Sequence, residues 1–214
     1  MTEKKGETRG AKKSPEKGHV SREQAEEAVR VLLRWVGEEP EREGLFDTPR
    51  RFVDALQEHC EGLHKDPEAV LSRTFQDVDG YEDMVLLRDV HFVSHCEHHI
   101  APILGRAHVA YLPYKRVVGI SKLARVVDIY SRRLQVQERM TAQIARVIDK
   151  ALKPRGVAVV IEAVHHCMTT RGVHKPDVAM VTSHLTGAFR DDSSTRAEFL
   201  DLIGRSLLGT PYKS

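Results

Sequence analysis

The chain has 214 residues, enough for one domain or at most two small ones, and an apolar fraction of 41%, as in ordinary globular proteins. No apolar run is long enough to cross a bilayer, which excludes a membrane span. Lys and Arg number 33 against 31 Asp and Glu, a net charge of +2, so the whole chain offers no electrostatic case for nucleic acid and any polyanion site has to be local.

Residues 1–20 read as a disordered tail, basic and almost without apolar side chains. They lack the apolar stretch and cleavage site of a secretory signal, so a cytoplasmic location is expected. Ser21 and Gln24 form a capping box, and Ala25, Ala28, Val29, Leu32, Leu33 and Val36 repeat at helical spacing up to Gly37. Thr48-Pro49 opens a second helix, with Phe52, Val53, Leu56, Cys60 and Leu63 on one stripe that places Cys60 in the core. Asp66-Pro67 starts a short third helix.

Two extended segments follow, Met84 to Val93 and Arg106 to Leu112, predicted as an antiparallel pair with Pro102 and Gly105 in the turn region between them. Ser121 is read as the N-cap of a helix to about Tyr130, and Val136 to Leu152 as a longer helix ended by Pro154 and Gly156. Strands resume over Val157–Met168 and Val178–Phe189. Thr195 with Glu198 is read as a capping box before a last helix carrying Phe199, Leu200 and Ile203.

Strands not interleaved one by one with helices argue for an α+β layout with an antiparallel sheet. The expected division is an N-terminal helical extension over 21–80, a main domain over 81–208 and a short tail over 209–214.

The three cysteines, Cys60, Cys96 and Cys167, are too few and too far apart for a disulfide framework. Of twelve histidines, five lie within residues 91–108 and two precede Cys167. A period of two along Val157–Cys167 puts His165 and Cys167 on one face, as metal ligands or as a nucleophile with its base. Cys96 and His99 have the gap that lets a tight turn bring sulfur and nitrogen to one ion, with Cys167 as a third ligand from across the sheet. Such a set favours zinc, and an open fourth position would make hydrolysis the natural reaction class. His98 or His165 could instead close the site, so spacing leaves catalytic and structural zinc open. Ser121, Lys122 and Arg125 at a helix start form a candidate anion site; Arg171 could reach the edge of the metal pocket, and Glu138 could pair with a guanine edge.

Four motifs in order, Cys96-Glu97-His98-His99, Gly119-Ile-Ser121-Lys122-Leu-Ala-Arg125, Gln135-Val-Gln137-Glu138-Arg139 and His165-His166-Cys167-Met-Thr-Thr-Arg171-Gly172, resemble the GTP cyclohydrolase I family from about residue 21 to 207. The resemblance implies the tunnelling fold, in which antiparallel sheets of several subunits close into a barrel with paired helices outside, as a homodecamer of two pentamers. It implies Zn2+ on Cys96, His99 and Cys167, and conversion of GTP and water into 7,8-dihydroneopterin triphosphate and formate, the first step of tetrahydrofolate or other pterin biosynthesis. By the same match His98, His165 and Ser121 are acid/base residues, with His165 suited to protonating purine N7. Gln137 and Glu138 read guanine, and Lys122, Arg125, Arg171 and Arg51 gather the triphosphate, some from a neighbouring subunit. His95 has no assigned role. Two rivals stand beside this: a structural-zinc binding module, disfavoured because the basic surplus lies in the tail, and a metal-free tunnelling-fold enzyme with a cysteine nucleophile, against which Cys96 with His99 argues.

Overall fold

The computed structural model describes residues 20–75 and 81–204, so the expected tails, apart from Val20, lie outside the described residues. Two compact units divide the chain after Leu56.

In the first, α1 (Arg22–Trp35) begins at the expected capping box: Ser21 Oγ accepts from the Gln24 N–H at 3.3 Å, and Gln24 Oε1 from the Ser21 N–H at 2.9 Å. Helix α2 (Thr48–His59) begins at the expected Thr-Pro pair and runs on into the second unit. Its apolar stripe is buried less than expected. Phe52 and, beyond the helix, Leu63 are exposed, while Leu56 and Cys60 are half-buried; helical spacing makes a face, and only a covering element buries it.

In the second unit α3 (Pro67–Leu71) is capped by Asp66, as expected. β1 (Thr74–Phe75) pairs with β4 (Val117–Val118) as a small ribbon. The main sheet has the order β5-β2-β3-β6-β7, formed by β2 (Val85–Cys96), β3 (Pro102–Leu112), β5 (Leu134–Gln135), β6 (Gly156–His165) and β7 (Ala179–Leu185). All pairings are antiparallel except β5 with β2. Helices α4 (Ile120–Ser131) and α5 (Gln137–Leu152) belong to the core on one face, where Val109, Val157, Val159 and Ile161 alternate inward with Leu123, Val127, Ile144 and Ile148. On the other face Phe189 of α7 (Ala188–Asp191) and Phe199 of α8 (Ser193–Gly204) bury Ala110, Ala158 and Val160. This is the α+β layout expected, an antiparallel sheet with a helix pair on its face.

Four local expectations are corrected. Pro102 and Gly105 lie inside β3, and the chain reverses over 97–101, where Ile100 takes the left-handed conformation and Cys96 N–H meets Ala101 O at 2.9 Å. Gly105 is there because of close packing: a Cβ would stand 2.5 Å from Ala163 Cβ. Gly119, not Ser121, occupies the N-cap of α4. The strand read to Met168 ends at His165, and α6 (His166–Thr169) carries Cys167 instead, so period two does not orient that residue. Asp192, not Thr195, caps α8, its carboxylate accepting from the N–H groups of Ser194 and Thr195.

Candidate metal centre

Strands β2 and β6 flank β3 antiparallel to it, so they run parallel to each other and deliver their C-terminal ends to one edge of the sheet. β5 runs parallel to β2, which brings the start of α5 to the same edge, and β7 begins there. Cys96 ends β2 with its side chain buried; Cys167 follows β6 on α6; His99 sits on the turn after Cys96. Their ligand atoms all lie within 4.8 Å of one another. A tetrahedron with zinc–sulfur bonds of about 2.3 Å has edges of about 3.8 Å, so the three fit one ion with little adjustment.

Electrostatics point the same way. Burial and the hydrogen bond with Cys96 push the Cys167 thiol up, and Arg171 only partly opposes this. A cation held between the two sulfurs would favour the Cys167 thiolate, whereas a raised thiol is a poor free nucleophile. His99 is exposed, so one side of the cluster faces open space.

The turn is braced from α5. Glu97 pairs with Arg139, which holds its carboxyl below the usual range, and Arg139 also donates to Gln135 Oε1 at 3.4 Å. Gln135 O in turn accepts from the Glu97 N–H at 3.0 Å. Sequence reasoning missed this brace, although Gln135 and Arg139 stand four residues apart in a motif it singled out. His95 is buried and stacks on His59 with centroids 3.9 Å apart.

His98 is exposed beside the cluster's turn. His165 is half-buried; burial pushes its imidazole down, opposed by the nearby carboxylate of Glu138. Glu138 itself is exposed on the first turn of α5. Gln137, expected to read guanine, is 1% exposed, and its amide is engaged with Ile161, Met180, Thr182 and His165. Ser121, Lys122 and Arg125 share α4, but no hydrogen bond or ion pair among the described residues joins them to the cluster. Arg125 opens on a cleft of about 500 Å³ with Glu61, Lys65, Asp66 and Arg132. Arg51 is exposed on α2 and pairs with Asp47 at 3.1 Å. Cys60 stays apart from the cluster, half-buried with its thiol raised by burial.

Fold and site together define an α+β protein whose sheet edge gathers a metal-competent pair of thiols and an imidazole. Residues 25–204 match the family model described as GTP cyclohydrolase I. A protein named GTP cyclohydrolase 1 from Maricaulis maris (strain MCS10) is 56% identical over 186 residues, 87% of this chain and 91% of that one. Another of that name from Sinorhizobium fredii (strain NBRC 101917 / NGR234) is 58% identical over the same shares. The chain is an enzyme that belongs to the GTP cyclohydrolase I family. Among solved structures, an archaeosine synthase QueF-Like in the apo form overlaps at a TM-score of 0.40 and 19% identity, covering 49% of this chain and 93% of that one.

Proposed function

We propose that the protein converts GTP and water into 7,8-dihydroneopterin triphosphate and formate. The observation that carries this reading is the convergence of Cys96, His99 and Cys167 in a chain of this family. Those three residues would hold zinc, which when bound supplies Lewis-acid activation of water. His165 protonates purine N7, drawing electron density from C8 so that water adds there and the imidazole ring opens. His98 and Ser121 carry protons in the later steps, in which a second hydrolysis releases C8 as formate and the ribose carbons close the pterin ring.

Glu138, exposed and beside His165, accepts two N–H bonds from the guanine edge, a pattern adenine does not present. Arg171, near enough to Cys167 to favour its thiolate, meets the triphosphate. Lys122, Arg125 and Arg51 would complete the phosphate site from neighbouring subunits of a decamer of two pentamers, since among the described residues no hydrogen bond or ion pair joins Lys122 or Arg125 to the cluster. The catalytic domain is 81–208, and the setting is cytoplasmic.

Incubating zinc-loaded protein with GTP tests this. Formate and a pterin that fluoresces after oxidation are expected in equal amounts; neither product, with stoichiometric zinc present, would leave a structural metal site instead.

A further inference from the structure

Gln137 is the first residue of α5, and its side chain reaches into the sheet end beneath the site. Its Nε2 lies 3.2 Å from Ile161 O, 3.0 Å from Met180 O and 3.1 Å from Thr182 Oγ1. Two of these are carbonyl oxygens, which only accept, so the amide nitrogen has to face them. Flipping the amide would press Oε1 against both carbonyls with no proton between, a buried mismatch worth about 1–3 kcal/mol for each unsatisfied group.

The hydroxyls nearby reinforce that direction. Thr141 donates to the Gln137 carbonyl at 2.7 Å, so its oxygen accepts from Thr182, 2.7 Å away, and the Thr182 oxygen faces Gln137 Nε2 as a third acceptor that shares one of its two protons with a carbonyl. Gln137 Oε1 therefore faces His165 Nε2 at 2.7 Å as an acceptor, and this contact requires a proton on Nε2.

We propose that Gln137 is a positioning residue that pins His165 through Nε2 and so makes Nδ1 the atom through which that imidazole exchanges its proton. In the neutral ring Nε2 carries the hydrogen and Nδ1 the lone pair; in the imidazolium both are protonated. The proton passed to purine N7 leaves Nδ1, and the ring returns to the Nε2–H tautomer with its bond to Gln137 intact throughout. One ring orientation thus serves both protonation states, and no step needs the imidazole to turn over. This inference rests on the reaction proposed above, and it moves Gln137 from the guanine edge to the support of the acid.

Two measurements test it. Histidine-labelled, zinc-loaded protein at pH 8, sedimented for solid-state NMR with His165→Gln as the assignment control, is expected to show the His165 ring as the Nε2–H tautomer. An Nδ1–H ring overturns the proposal, and this readout needs no turnover. In Gln137→Met, kcat is expected to fall by about 10²-fold with the KM for GTP and the zinc content unchanged, as misplacement of a reacting group by about an ångström would cause. A raised KM for GTP with kcat preserved, and lost discrimination against inosine triphosphate, would return Gln137 to guanine reading and overturn it. If the wild-type protein releases no formate, the proposed reaction fails while the tautomer result still judges the Gln137–His165 pairing.

Discussion

Cys167 and His165 stand two positions apart, yet the structure gives them different surroundings: one thiol against another thiol, one imidazole against a buried amide. Cys167→Ser is therefore expected to lose zinc and turnover together. His165→Ala is expected to keep stoichiometric zinc by elemental analysis and lose turnover by about 10²–10⁴-fold, the usual weight of a general acid. Loss of metal in His165→Ala would make that histidine a ligand. A second prediction concerns His108, buried in the sheet with Nδ1 accepting the Asp89 N–H at 3.2 Å. Burial depresses its pKa, with the charges of Asp89, Arg106, Glu162 and Arg88 around it partly cancelling. A depressed folded pKa means the unfolded chain takes up the proton first. The stabilisation is complete above about pH 6.5 and is lost as the pH falls toward the folded value. His108→Gln, which keeps an acceptor for Asp89, should flatten that acid limb in thermal melts taken from pH 7.5 to 5. An unchanged limb would exclude His108 as its source.

At the scale of elements, the closeness of β3 to β6 is what lets Cys96 at the end of β2 meet Cys167 just beyond the end of β6. Gly105 is the point where that closeness is tightest, with Ala163 Cβ and Glu162 O each 2.5 Å and Phe92 Cζ 2.9 Å from where a methyl would sit. Gly105→Ala is expected to lower stability by about 1–3 kcal/mol through overpacking, read as a depressed melting temperature. A neutral result would mean the strands part without cost. The elements also show how much was legible beforehand. The first helix was readable to its cap, because Ser21 and Gln24 satisfy each other locally. The α8 cap was misplaced because Asp192, Ser193 and Thr195 are all competent N-caps by type, and in the fold it is the Asp192 carboxylate that accepts from the Ser194 and Thr195 N–H groups. Pro102 passed for a turn residue because a proline at the first position of a strand cannot be told from one in a loop by local pattern.

The whole molecule raises the question of assembly. Within the second unit Val93, Leu104 and Val181 remain exposed on the sheet face opposite the α4–α5 pair, and Arg125 points to a cleft that holds no residue of the metal cluster. Both features fit a site completed by other copies. Light scattering on the purified protein is expected to give a decamer, and a monomer would remove the shared-site reading. Co-expression of Arg125→Ala with Cys167→Ser should restore part of the activity each lacks alone, because some sites would then draw an intact arginine and an intact thiol from different chains. No recovery in demonstrated mixed oligomers would place both residues in one chain's site.

The amino-acid sequence by itself determined the ligand types, their order and the α+β alternation of segments, because donor chemistry and hydrophobic period are written residue by residue. Only the tertiary structure decided which donors meet and what each neighbour does. Strand order brings the ends of β2 and β6 together around β3, and a helix rather than a strand presents Cys167. Gln137 shows the difference most plainly: in the sequence it stands next to Glu138 as a second polar residue, while in the fold one faces solvent and the other is sealed against a histidine. Adjacent residues at the start of a helix point about 100° apart, and which of them is buried depends on what the rest of the chain packs there.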